Sequence, residues 1–146
     1  MAKKRIVDPW IPAAQYGRSL PKFTVNLLMK DVRSSVEFYE QVLSAQCIYQ
    51  DEDFAALELS GVKMMLHADH TYDQHPWYGL LTTNQTRGLG IELRLFDVDP
   101  DIIESKARKF GSPILQQSTT KAHGWREAWI EDPNGYVWAV GKPANA

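Results

Sequence analysis

Thr24-Val-Asn-Leu-Leu-Met-Lys-Asp31-Val32 lies over Gly90-Ile-Glu-Leu-Arg-Leu-Phe-Asp97-Val98 when the chain is slid past itself by 66 residues. Val25, Leu27 and Met29 then fall on Ile91, Leu93 and Leu95, and Asp31 falls on Asp97. Ile48 and Gln50 fall on Ile114 and Gln116 at the same offset. Further on, an offset of 74 puts Gly61 on Gly135 and Val62 to Leu66 on Tyr136 to Val140. The change of offset means eight extra residues in the second copy, which the spacing assigns to a loop at 117–124. A strand, a helix start and a hairpin that recur in order are the mark of an internal duplication.

Each copy reads alike. An alternating strand, 22–29 or 89–96, presents one apolar face at period two. A helix follows. In the first copy Ser34 and Glu37 form a capping box, and Val36, Tyr39, Val42 and Leu43 make its apolar stripe. In the second, Asp99 caps the helix with Pro100 in its first turn, Ile103, Ala107 and Phe110 recur at helical spacing, and Gly111 closes it. Three shorter strands complete each module, at about 46–50, 54–59 and 62–67, then 113–116, 125–131 and 136–140. Asp132-Pro133-Asn134-Gly135 is a strong turn between the last pair. The fold class is therefore α+β, with two tandem βαβββ modules at about 22–67 and 89–140 forming a curled mixed sheet around a cleft. Residues 68–88 link them, with His70, Tyr72, His75, Pro76, Trp77 and Tyr78 in an aromatic-rich connection. Residues 1–21 read as an arm, because Pro9, Pro12 and Pro21 interrupt any periodic pattern. Its Trp10, Ile11 and Tyr16 are apolar enough to pack on the domain or on a second subunit.

The 146 residues suit one domain, here 22–142, and 44% apolar with 23% charged residues is ordinary globular composition. A net charge of −2 provides no basic stripe for nucleic acid. The single cysteine, Cys47, cannot form an internal bridge and reads as a buried core thiol in a reducing, cytoplasmic protein. Lys3, Lys4 and Arg5 are followed by Asp8, Pro9 and Pro12 rather than an apolar signal segment. No apolar run approaches the ~20 residues that cross a bilayer, so no membrane partner is expected.

The doubled module resembles the vicinal oxygen chelate superfamily, which contains glyoxalase, fosfomycin-resistance proteins, ring-cleaving dioxygenases and bleomycin-resistance proteins. Asp31-Val32 with Ser35, Phe38-Tyr39 and Val42-Leu43 is similar to that family's first-helix signature. Trp125-Arg126-Glu127-Ala128-Trp129-Ile130-Glu131-Asp132-Pro133-Asn134-Gly135-Tyr136 is similar to its closing hairpin. The resemblance covers about residues 22–142. It implies a metal ligand of His, Glu or Gln at four positions, which fall here on Thr24, Met65, Gly90 and Ala139. None offers an imidazole, thiolate or carboxylate, so the usual donors are missing. A relocated site could draw on His67, Glu92, His123 and Glu127, although Arg94 beside them opposes a cation. A Glu92–Arg94 ion pair or a solvated rim is the plainer reading of that pair.

The remaining chemistry is sparse. No nucleophile elbow, phosphate loop or dinucleotide fingerprint occurs, and Gly88-Leu-Gly90 is a lone fragment. His70 and His75 read as surface histidines, and Glu58, Glu127 and Glu131 would be general bases only if desolvated. Sixteen aromatic residues are the informative surplus. Trp77, Tyr78, Trp125, Trp129 and Trp138 fall on the linker or the closing hairpins, and flat apolar walls with a few polar groups suit a planar ligand. The expected ligand-binding residues are Asn26, His67, Trp77, Tyr78, Glu92, Arg94, Trp125 and Trp129, with no catalytic residue, metal or cofactor. The resemblance to the bleomycin-resistance branch implies a homodimer that sequesters an amphipathic or aromatic compound unchanged. The alternatives are a lyase or dioxygenase with relocated metal ligands, and a non-catalytic metabolite-sensing subunit.

Overall fold

The computed structural model describes residues 1–83 and 86–144. Asn84 and Gln85 of the expected linker lie outside the described residues. The chain divides into two compact units, Met1–Glu40 with Ser44–Gln85, and Gln41–Leu43 with Thr86–Ala146.

The first unit holds β1 (Val25–Met29), β2 (Gln46–Gln50), β3 (Phe54–Leu59) and β4 (Val62–Ala68), ordered β1-β4-β3-β2, with β1 parallel to β4 and the other pairs antiparallel. The second repeats the arrangement with β5 (Glu92–Phe96), β6 (Ile114–Thr120), β7 (Trp125–Glu131) and β8 (Val137–Pro143), ordered β5-β8-β7-β6, with β5 parallel to β8. The molecule is thus α+β, two tandem βαβββ modules with an open four-stranded mixed sheet in each. Alternation along β4 buries Met64, Leu66 and Ala68 on one face and leaves Met65 and His67 half-buried on the other. Among the described residues no helix is long and apolar enough to cross a membrane.

Helix α2 (Val32–Leu43) starts one turn earlier than a Ser34–Glu37 box requires. Asp31 is its N-cap and accepts a hydrogen bond from Ser34 N at 2.9 Å. Its stripe of Val36, Tyr39, Val42 and Leu43 is buried as the spacing predicts. Helix α4 (Pro100–Phe110) is capped by Asp99, ends on Gly111 at φ 92°, and packs on β6, β7 and β8 through a face that buries Ile103 and Ala107. The caps Asp31 and Asp99 are 68 residues apart, not 66. The ladders agree, because Asn26 pairs with Met65 while Arg94 pairs with Ala139. A slip of two preserves strand alternation, so the apolar pattern does not distinguish the two registers.

The inserted residues are also distributed differently. Residues 117–120 extend β6 instead of forming a loop, and the turn between β7 and β8 spans 132–136 where Ser60-Gly61 suffices in the first copy. The arm is not irregular throughout. A short helix, α1 (Ala13–Ser19), begins directly after Pro12, at a helix entry where the missing N–H has no consequence. A further short helix, α3 (Tyr78–Leu81), lies in the connection between modules, after a 3-10 turn at Asp69–Tyr72.

Gly141 shows how closely β7 and β8 approach. A Cβ there would meet Arg126 O at 2.3 Å and Glu127 Cβ at 2.9 Å. Gly141→Ala is expected to cost about 2 kcal/mol through this overpacking, read as a lowered urea midpoint with an unchanged slope.

Candidate functional site

The first unit's open sheet face carries Asn26 on β1, Tyr49 on β2, Phe54 and Ala56 on β3, and Met65 and His67 on β4. These are neighbours in the ladders: Asn26 and Ala56 both flank Met65, and Phe54 is opposite His67. The arm lies over this face. Trp10 stacks on Tyr49 with ring centres 4.6 Å apart and planes 18° from parallel. Tyr16 on α1 meets Phe54 edge-on at 5.5 Å and Trp10 at 5.3 Å. Lys63 Nζ donates to Ser19 O at 3.3 Å. Between arm and sheet remains a cavity of about 210 Å³, walled chiefly by Trp10, Ile11, Tyr16, Phe54, Met65 and His67.

A buried carboxylate ties the arm down. The Asp53 side chain is 2% exposed. Its Oδ1 accepts Lys4 N at 2.8 Å and lies 2.6 Å from His70 Nε2, while Oδ2 accepts Arg5 N at 3.2 Å. The Arg5 guanidinium is 3.9 Å from Asp53 and 3.6 Å from Asp51. Asp51 in turn shapes the loop, because its Oδ1 accepts the backbone N–H of Asp53 and Phe54 at 2.7 and 2.9 Å. Burial alone would raise the Asp53 pKa, but the hydrogen bonds from His70, Lys4 and Arg5 outweigh it and hold the carboxyl below the usual range. Partial burial, together with its hydrogen bond to Asp51 Oδ2 at 2.7 Å, pushes the half-buried Tyr49 phenol up to about 12.

His67 has one ring nitrogen committed. Its Nδ1 lies 2.6 Å from Asn26 Oδ1, and Asn26 Nδ2 donates to the Tyr72 hydroxyl at 2.7 Å. With Asn26 so oriented, Nδ1 carries the proton and Nε2 is an acceptor. Burial, assisted by the Arg5 charge, lowers the His67 pKa to about 4, so the ring is neutral at pH 7.

The second unit's corresponding face carries charge instead. Arg94 donates to Glu92 Oε1 at 2.7 Å and to Glu127 Oε2 at 2.6 Å, and Glu127 is buried. Trp129 Nε1 donates to Glu127 Oε1 at 3.3 Å, and Lys121, which also donates to Gln116, sits 4.5 Å over the Trp129 ring. Arg94 lies 5.6 Å from the Trp125 ring centre, and Phe96 packs on that ring at 4.9 Å.

The eight expected ligand-binding residues therefore fall into three places. Asn26 and His67 meet in the first unit, and Glu92, Arg94, Trp125 and Trp129 gather in the second. Trp77 and Tyr78 stand at and within α3, 54% and 37% exposed, with Trp77 edge-on to His75 at 4.6 Å. Trp138 is 5% exposed and belongs to the core. Cys47 is half-buried rather than buried, with its pKa raised by partial burial and by Glu40. His70 is bonded to Asp53 rather than free at the surface. Arg5, Asp53, Phe54 and Tyr72 are site residues that pattern reading overlooks. The arm's Trp10 and Tyr16 were marked by their apolar character alone.

The four positions at which the resemblance implies metal ligands do not fit a metal. Thr24 donates its hydroxyl to Pro21 O, Met65 walls the cavity, Gly90 has no side chain, and Ala139 is buried. Nor do relocated donors gather: among the described residues no three His, Cys, Asp or Glu side chains form a cluster suited to an ion.

Solved structures with this fold include a glyoxalase/bleomycin resistance protein/dioxygenase family enzyme from Burkholderia phytofirmans PsJN, with TM-score 0.69 and 20% identity over 82% of this chain and 96% of that one. A glyoxalase-related enzyme from Fulvimarina pelagi matches with TM-score 0.66 and 14% identity, covering 82% and 85%. A glyoxalase/bleomycin resistance protein/dioxygenase from Nocardioides matches with TM-score 0.65 and 19% identity, covering 89% and 91%. The fold is the one these glyoxalase/bleomycin resistance/dioxygenase family structures share, and at these identities the likeness is one of fold. No protein-family model matches the chain, and no curated protein matches its sequence.

Two outcomes follow from this geometry. Asp53→Ala leaves two backbone donors and His70 without their partner, and leaves the Arg5 charge with Asp51 alone. It is expected to cost about 3 kcal/mol and to open the arm's lysines and arginines to limited trypsin cleavage, which leaves the wild-type arm intact. His67 is held neutral, so its contribution to stability is present above pH 6.5 and is lost as pH falls from there towards about 4. His67→Gln should flatten that part of the curve of melting temperature against pH.

Proposed function

We propose that the chain is a metal-free small-molecule binding protein whose first unit holds a compact aromatic compound without changing it chemically. The observation that carries this reading is the 210 Å³ cavity between arm and sheet, walled by Trp10, Tyr16, Phe54 and Met65. A cavity of about 150 Å³ lined by apolar side chains admits benzene, so this one has room for a ring system of roughly two fused rings. Aromatic and thioether walls with few polar groups are what an apolar planar guest requires. Sequestration needs no nucleophile or metal, and Met65 and Ala139, which lie in the ladders beside Asn26 and Arg94, bring no ionisable donor of their own. The fold's neighbours include bleomycin-resistance family proteins by name, and resistance by sequestration is the biological role this reading favours. We further propose that the working species is a homodimer.

The metal-dependent alternative draws less support. Two of its four donors, Glu92 and Glu127, already share the Arg94 guanidinium.

Naphthalene, indole and quinoline, titrated against the protein by calorimetry, test the reading. At least one should bind, Trp10→Ala should weaken it by about 1–3 kcal/mol, and Met65→Trp should abolish binding by filling the cavity while the protein stays folded. Binding that survives Met65→Trp, or no binding by any of the three, overturns the assignment. Native mass spectrometry of the same sample should give a mass of twice 16.6 kDa.

A further inference from the structure

We infer that Tyr16 Oη and His67 Nε2 are the two polar recognition points of the first unit's cavity. On that basis its guest is a neutral, planar heterocycle with an N–H donor beside a carbonyl acceptor, of the lactam type. This inference rests on the small-molecule reading above and names the class of ligand for that site.

Four side-chain polar atoms among the described residues are buried without a hydrogen-bond partner: Tyr16 Oη, Ser112 Oγ, Gln116 Nε2 and Ser118 Oγ. Of these residues only Tyr16 lines the cavity. A buried hydroxyl is normally satisfied, and an orphan on a cavity wall calls for an acceptor from whatever occupies the space. The phenol is a dependable donor, since partial burial and the nearby Glu58 charge both raise its pKa. His67 supplies the opposite sense. With Nδ1 committed to Asn26, Nε2 is a lone-pair acceptor with no donor among the described residues, on a residue that also lines the cavity. Tyr16 and His67 flank one ring, Phe54, with centres 5.5 and 5.0 Å from it. A donor residue and an acceptor residue therefore both border the Phe54 ring in the cavity wall.

The charged groups of the wall do not ask for an ionic guest. Arg5 lies 3.6 and 3.9 Å from the Asp51 and Asp53 carboxylates, and Asp53 is further bonded to His70 and the arm's backbone. Each of these charges has a partner before any ligand arrives. A hydrocarbon would fill the volume but leave both polar atoms unpaired, whereas a lactam satisfies both.

Three fused bicyclic probes separate the possibilities in calorimetric titrations: quinolin-2(1H)-one with donor and acceptor, quinoline with the acceptor alone, and naphthalene with neither. The lactam should bind roughly tenfold tighter than quinoline, and quinoline more tightly than naphthalene. Tyr16→Phe, which removes only an unpaired hydroxyl and should fold normally by its melting curve, should weaken the lactam and quinoline roughly tenfold while leaving naphthalene unchanged. Equal affinity for all three, or a lactam indifferent to Tyr16→Phe, overturns the inference and leaves the hydroxyl serving a trapped water. In that case the cavity remains a binding site of purely apolar character. Failure of every probe to bind instead removes the small-molecule reading itself.

Discussion

The buried carboxylate of Asp53 is the constraint on which the first unit's site depends. An ionised carboxyl at 2% exposure is tolerable only while its donors are in place, and most of them come from the arm: Lys4 N, Arg5 N and the Arg5 guanidinium, with His70 completing the set. Lifting the arm would leave a desolvated charge with a single partner, so docking of the arm and retention of the carboxylate are one event. The roof over the cavity follows from it. Trp10 and Tyr16 lie only a few residues beyond Arg5, and their stacking on Tyr49 and Phe54 is positioned by that anchor. Apolar contact contributes the area, and the carboxylate fixes where the arm lands.

The two modules have the same topology and different chemistry at matched ladder positions. In the first, Asn26 beside Met65 orients His67 and leaves its outer nitrogen free. In the second, Arg94 beside Ala139 neutralises Glu127 and Glu92. The first face is covered by an aromatic arm and encloses space. The second carries a compensated charge cluster with Trp125 and Trp129 against it, and Gly141 lets β8 approach Glu127 closely enough to bury it. A duplicated scaffold thus supports one apolar chamber and one polar face.

Much of this was legible in the sequence because strand alternation and helix caps are local. The order of strands and helices, the Asp99 and Gly111 caps, and the closing hairpin all come from short-range patterns. The repeat offset was misread by two residues because period-two alternation is blind to such a slip, and only the paired caps Asp31 and Asp99 reveal it. Helix α1 was hidden between prolines, since Pro12 reads as a breaker although it stands where a helix can begin. Asp53 left no signal at all. The last of three consecutive carboxylates at 51–53 looks like part of a solvated turn, and its burial depends on residues 48 and 49 positions earlier in the chain. Asn26 and His67 are both among the ligand-binding residues expected from sequence, but their mutual hydrogen bond depends on the three-dimensional register of β1 and β4.

The same register explains why Met65 suits this molecule. Met65 lies between Asn26 and Ala56 on the face that the arm covers, and it walls the cavity together with Trp10 and Phe54. A carboxylate or imidazole at that position would be desolvated against aromatic rings, and the Arg5 guanidinium in the cavity's lining is already engaged by Asp51 and Asp53. Without a compensating ion it would be a liability, and with one it would draw water into a space the arm otherwise keeps apolar. An aromatic arm over the sheet and hard metal donors beneath it are therefore competing uses of one face. Met65, Trp10 and Tyr16 all wall the cavity on that face, where a thioether and two rings meet.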